Sequence, residues 1–151
     1  MTVLIISIAV VFIGLWYSGL YYNCSYFKKE RIKMFVQLKE LLNRRCDLMT
    51  DLGQSVKRPD LVELCEKALA EADIDKRIEI ECEISAIFKE FDYDNNIVVS
   101  EALYSVEDKL RVGANSFNDA TDRYNVAVSN GLIKMTARIA DLAPAPSLYI
   151  F

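Results

Sequence analysis

Histidine is absent from this 151-residue chain, which removes the commonest general base and metal ligand together. Proline occurs only at 59, 144 and 146, and beyond the first 27 residues glycine occurs only at 53, 113 and 131. So few breakers allow long helices and leave little punctuation for strands and hairpins. No phosphate-binding glycine loop, dinucleotide fingerprint, nucleophile elbow or zinc-protease pair occurs. Cys24, Cys46, Cys65 and Cys82 are scattered without a C-x-x-C pair, the pattern of reduced thiols used for packing. Enzyme chemistry therefore has little to stand on, and we assign no catalytic, cofactor-binding or metal-ligating residue and no cofactor.

Charge is also absent from Met1 to Phe27. Within that stretch Thr2 to Tyr22 is an apolar run that as a helix would span roughly 32 Å, about a bilayer core. No Lys or Arg precedes it and no small-x-small site follows it, so residues 1–25 read as an uncleaved transmembrane anchor, not a signal peptide. Lys28, Lys29, Arg31 and Lys33 crowd its C-terminal flank. By the positive-inside rule the N-terminus faces out and the following domain is cytoplasmic. Trp16, Tyr17, Tyr21, Tyr22 and Tyr26 form an aromatic belt at that end. Gly14 and Ser18, one turn apart, are small enough to let two membrane helices approach closely.

Beyond the anchor, apolar residues at 35, 38, 42, 46, 49, 52 and 56 step by three and four. They predict a helix from about Tyr26 to Lys57 that continues the membrane helix as one rod. Pro59-Asp60 suits the first turn of a second helix, which bends around Asp73 and resumes to about Phe91. Ile74, Ile78, Ile80, Ile84, Ile87, Phe88 and Phe91 line it. Asp92 to Asn96 reads as a loop. It resembles the opening of a calcium loop, but Ile97 and Leu103 stand where that motif needs Gly and Glu, so calcium is not expected. A last helix is predicted from Val98 to Met135, with Leu103, Leu110, Phe117 and Tyr124 in one heptad column and Val106, Gly113, Ala120 and Ala127 beside it. The expected fold is all-α: a single N-terminal transmembrane helix continuing into an antiparallel bundle of three to four long helices over residues 26–143. An apolar tail, 144–151, must dock on the bundle or on the membrane.

Residues 28–58 hold nine Lys/Arg against four Asp/Glu, whereas residues 60–83 hold three against nine. The basic stretch starts beside the membrane, where anionic lipids attract it, and opposed segments let neighbouring copies meet. It has no aromatic sheet or helix-turn-helix pattern, so nucleic acid is not an expected partner. On the helix faces, Glu40, Arg44 and Asp47 are spaced for a solvent-exposed ladder.

Leu42-Asn43-Arg44-Arg45-Cys46-Asp47-Leu48 resembles the L-x-R-R-x-D-L signature of the LemA family. Phe117-Asn118-Asp119-Ala120 followed by Tyr124-Asn125 resembles its Y-N-D-A-V and Y-N repeat, and Tyr22-Asn23 resembles the Y-N that opens its domain. The order of these motifs covers nearly the whole chain. Phe117 replaces the first Tyr, and Met49 to Gly53 replaces the family's I-P-N-L-V, so the helix break expected at that Pro-Asn is missing. The resemblance implies a divergent or short member: an outward-starting anchor, a cytoplasmic helical bundle, and no catalytic residues to carry over. Some members look involved in shaping or organising bacterial membranes.

These readings lead to one expected function. It is a membrane-anchored helical scaffold that self-associates as a homo-oligomer at the cytoplasmic face of the bacterial inner membrane. The alternative is an adaptor or regulator holding another membrane-associated protein there, through the acidic segment 60–83 or the Arg44-Arg45-Asp47 patch. Membrane lipids are partners in both. Phe117 and Tyr124 are expected in the core. Asn118 and Asn125, one step round from them, are expected to bond backbone or polar groups of another helix near Arg44, Arg45 and Asp47, because a buried amide is costly without a partner.

Overall fold

The computed structural model describes residues 1–92, 100–129 and 142–150, and every regular element among them is a helix. The first, α1, runs without interruption over Thr2–Ser55, 54 residues, or about 81 Å at ~1.5 Å per residue. Its two parts differ in what covers them. From Ile5 to Leu15 the large apolar side chains stand exposed, and α1 as a whole is long enough, and over an 18-residue window apolar enough, to cross a membrane. From Cys24 onward one face is buried: Phe35, Leu38, Leu42, Cys46, Met49 and Leu52 all lie in the core. The predicted stripe is therefore the packed face, and α1 passes through Met49–Gly53 with no break.

The sequence places the end of this helix near Lys57, and the structure ends it at Ser55 with a specific device. The Arg58 N–H bonds the Gly53 carbonyl at 2.8 Å and the Lys57 N–H bonds that of Gln54 at 3.4 Å. This requires a left-handed residue past the cap; Lys57 supplies it at φ 58°. Pro59 then opens α2, Pro59–Ala70.

The single bent helix expected from Pro59 to Phe91 is corrected to two: α2, and α3 over Ile74–Asp92. The break has a local cause. The Asp73 carboxylate accepts the backbone N–H groups of Asp75 and Lys76 at 3.0 and 3.1 Å, so it caps a new helix instead of continuing the old one. Ile78, Ile80, Ile84, Phe88 and Phe91 are buried on the helical face of α3. The expected loop at 92–96 is placed only in part: Asp92 closes α3, and the rest lies outside the described residues.

The last helix, α4, spans Glu101–Ser129; the ends predicted at Val98 and Met135 lie outside the described residues. Arg31 bonds Thr121, Phe35 stacks near Phe117 and Arg45 bonds Glu107. Rising numbers on α1 meet falling ones on α4, so α4 runs back along α1. Leu103, Leu110, Phe117 and Tyr124 are buried. At Gly113 an added Cβ would meet Leu38 Cδ2, so the lack of a side chain there sets the closeness of the two helices. By contrast α3 and α4 make no close backbone approach to each other. Leu148 of the C-terminal segment shares a buried cluster with Ile78 of α3 and with Leu110 and Phe117 of α4.

Candidate functional site

Two polar constructions interrupt this apolar interior. The first is centred on Arg45, which is fully buried. Its Nε donates to Glu107 Oε1 at 2.6 Å, its Nη1 to Glu81 Oε2 at 3.1 Å, and its Nη2 to Ser85 Oγ at 2.8 Å. Arg77 approaches the other Glu81 oxygen at 2.7 Å and also donates to the Ala68 carbonyl at the end of α2. Two guanidinium groups and two carboxylates thus cancel in charge, and they join α1, α3, α4 and the end of α2.

Balance is what makes such a group tolerable, since an isolated buried ion costs several kcal/mol and a bonded, neutralised set offsets much of that. Burial opposes the Arg45 charge, but attraction to Glu107 and Glu81 outweighs it and holds the guanidinium pKa above its ordinary value. Glu107 is less well compensated. Its Oε2 is buried with no hydrogen-bond partner among the described residues. Burial pushes its carboxyl pKa up, and Arg45 pulls it only part of the way back. Beside this set, a hydrogen bond with Cys65 and then burial hold the Cys46 thiol pKa well above its ordinary value, which suits packing and not reactivity.

The second construction holds residues 142–150 against α4. Asn118 Nδ2 donates to the Leu148 carbonyl at 2.8 Å while its Oδ1 accepts the Leu148 N–H at 2.8 Å. Asn125 treats Ala145 in the same way, at 2.9 and 2.8 Å. Each amide closes a two-bond ring with one residue of the tail, as a neighbouring strand would. The spacing explains why this works twice. Seven helical residues advance about 10.5 Å, and the three extended residues from Ala145 to Leu148 advance about 10 Å. Pro144 and Pro146 fix their own φ and push the preceding alanines toward extended backbone. Tyr124 Oη donates to the Ala143 carbonyl at 3.0 Å, and Arg31 Nη2 to that of Pro146 at 3.4 Å. Arg31 is itself buried, with its guanidinium 5.1 Å from the Phe117 ring centre and 2.7 Å from Asp75.

The residues singled out in the sequence separate accordingly. Arg45 lies in the charge set, while its neighbours Arg44 and Asp47 point to solvent. Among the described residues no ion pair joins Arg44 to Glu40 or Asp47. Phe117 and Tyr124 are core residues. Asn118 and Asn125 do bond backbone, but that of the tail; the expected partner helix near Arg44, Arg45 and Asp47 is corrected, because that region faces Glu107, some three turns along α4. Tyr22, Asn23, Gly14 and Ser18 are exposed on the uncovered part of α1.

Sequence reasoning passed over Arg77, Glu81, Ser85, Glu107 and Thr121, and took Arg31 only as a flanking cation, whereas it is buried in the bundle. Their signal was available: Arg31 and Arg45 extend the apolar stripe of α1, and Ile78, Glu81 and Ser85 step by three and four through the apolar face of α3. No group of His, Cys, Asp or Glu among the described residues is arranged to hold a metal ion. Tested against known proteins, the chain matches no family model, no curated protein and no solved structure.

Proposed function

We propose that this protein is a single-pass membrane scaffold, a divergent or short member of the LemA family. Its antiparallel helical bundle stands at the cytoplasmic face of the bacterial inner membrane and self-associates there, with its N-terminus outside. The observation that carries the reading is α1 itself. One unbroken helix has an uncovered apolar end and a second part whose stripe belongs to a packed core. Such a rod couples an anchor mechanically to a rigid domain, which is the property a membrane-organising scaffold needs. The family resemblance adds the bacterial membrane and the shaping role. Exposed Ile32 and Val36 on α1 and Val112 and Val126 on α4 supply apolar surface for contacts between copies.

The test is light scattering on the full chain extracted with its native lipids, joined to cysteine-accessibility mapping of both termini. The reading expects assemblies larger than a monomer and an inaccessible N-terminus from the cytoplasmic side. A monomer at every concentration removes the scaffold, and a cytoplasmic N-terminus removes the orientation.

The adaptor reading draws on a separate feature, a cleft of about 540 Å³ at the turn between α1 and α2, lined by Gly53, Lys57, Arg58, Pro59, Val62 and Glu66. It is at the end of the domain farthest along α1 from the anchor. Crosslinking that recovers only copies of the chain itself counts against it.

A further inference from the structure

The tail, seated in the groove between α3 and α4, closes one wall of a cavity of about 330 Å³. Lys28 and Arg31 of α1, Asp73 and Asp75 at the start of α3, Tyr124 of α4 and Ala145 of the tail line it. The volume lies at the small end of the range for small-molecule sites. Four of these side chains are charged, two of each sign, so the cavity is neutral overall and strongly polar.

The four charges are unequally committed. Arg31 is fully used: it faces Asp75 Oδ1 at 2.7 Å and bonds Thr121 and the Pro146 carbonyl. Asp75 is not. That same Oδ1 is buried and makes no hydrogen bond among the described residues, while the side chain is half exposed, so its other oxygen opens outward. Asp73 caps α3 with Oδ1 alone, which leaves its second oxygen without a partner among the described residues. Lys28 is exposed and makes no hydrogen bond or ion pair among the described residues. One free ammonium and two under-used carboxylates therefore share the space.

Their order along α1 matters. Tyr26 ends the interfacial aromatic belt, and Lys28 lies two residues, about 3 Å, beyond it. A helical side chain leans toward the helix N-terminus, so Lys28 leans toward the bilayer. Arg31, and with it Asp75, lies about 4.5 Å further along the helix. A group entering from the membrane meets the cation first and the carboxylates second.

We propose that this cavity binds the headgroup of phosphatidylethanolamine, with the phosphodiester on Lys28 and the primary ammonium between Asp73 and Asp75. The inference rests on the reading of α1 as a membrane anchor and gives that anchor a lipid preference. In such a lipid the phosphate is next to the acyl chains and the ammonium lies one two-carbon link beyond, the same order as the charges of the cavity. The ammonium brings three N–H donors to carboxylates that lack them. A choline headgroup has no N–H to offer, and phosphatidylglycerol has no cation and would face the carboxylates with a negative charge alone.

The test is native mass spectrometry of the full chain in mild detergent with an equimolar mixture of dioleoyl phosphatidylethanolamine, phosphatidylcholine and phosphatidylglycerol. The chain should retain the ethanolamine lipid over the choline lipid by about tenfold, the scale of one charge-assisted hydrogen bond. Asp73→Asn, whose amide oxygen still caps α3, should lose much of that discrimination, and Lys28→Gln should lower retention of both lipids. Circular dichroism checks that each variant keeps its helical content. Equal retention of the three lipids, preference for phosphatidylglycerol, or an unchanged preference in both variants overturns the proposal. Glycerophosphoethanolamine, the same headgroup without acyl chains, should not displace the lipid at tenfold excess; displacement would make the ligand a soluble phosphodiester and overturn the lipid assignment. Flotation of the chain with phosphatidylcholine vesicles is run alongside. A chain that floats without lipid preference loses this inference and keeps its anchor, whereas one that does not float loses both.

Discussion

Arg31 and Arg45 lie fourteen residues apart on α1, about four turns, so the same face presents a buried guanidinium at each end of the core. What surrounds them differs. Arg45 meets two buried carboxylates that a second arginine helps neutralise. Arg31 meets one carboxylate, Asp75, that is half exposed, and otherwise a hydroxyl, an aromatic face and a tail carbonyl. Around Arg45, charge registers helices against one another. Around Arg31, a single ion pair is joined by side-chain amides and main-chain groups that register an extended segment against a helix. The first arrangement is the costlier to open, because it leaves buried charges uncompensated, whereas opening the second mainly frees single hydrogen bonds.

Removing each guanidinium is the most severe way to break the comparison. Arg45→Met leaves Glu81 and Glu107 buried without their shared partner, and should cost about 3–5 kcal/mol of unfolding free energy, the range for breaking a buried ion pair. Arg31→Met should cost less, about 1–2 kcal/mol, since Asp75 is half exposed and can turn to solvent and the other contacts are single hydrogen bonds. Denaturant unfolding of both variants in one detergent measures the gap. Equal losses would mean that the two ends are not different in kind.

The amides come next. Asn118→Ala with Asn125→Ala removes four bonds at the tail end and leaves the charge set intact. The expected loss is about 2 kcal/mol, at roughly 0.5 kcal/mol or more for each net hydrogen bond. Hydrogen exchange should quicken at the Ala145 and Leu148 amides, while those of α1 near Arg45 keep their protection. A uniform acceleration along the chain would show that the latch and the core open together.

How far these differences can be read from sequence follows from periodicity. The all-helical architecture was legible because apolar residues recur at three and four over long stretches with few breakers. Asp73 was legible as a point of change, but its role as a cap depended on which N–H groups its carboxylate reached. The aromatic-Asn pairs announced themselves by spacing, yet their partner did not: a tail of alternating Pro and Ala carries no period that matches a helix, and the match is one of rise per residue. Arg45 stood inside a recognised motif, but Glu81 and Glu107 belong to other helices and only packing brings them together. A charged residue falling on an apolar stripe was the signal to follow.

Proton linkage sharpens the contrast at the Arg45 end. Burial raises the Glu107 carboxyl pKa in the folded state, so between the unfolded and folded values the native chain binds more protons than the unfolded one. The stability this contributes is complete below the unfolded Glu value of about 4.3 and is lost as pH rises through the higher folded value. Glu107→Gln should abolish that dependence. The stability of the native chain relative to this variant should therefore fall with rising pH across that window in paired denaturant titrations. A flat difference would mean that Arg45 compensates the carboxylate fully.

The smallest effect tests the tail end by its backbone alone. Pro146 makes no side-chain hydrogen bond that Gly would lose, and its carbonyl, which accepts from Arg31, survives the change. Pro146→Gly instead enlarges the set of conformations open to the free tail, so docking has more entropy to overcome, by about 0.4–1 kcal/mol. Exchange at the Leu148 amide should rise by the corresponding two- to fivefold, about a factor of ten per 1.4 kcal/mol, with no change at the Arg45 end. An unchanged Leu148 amide would place the whole selectivity of the groove in Asn118, Asn125 and the buried leucine, and would remove pre-extension by proline from the account of why this tail fits.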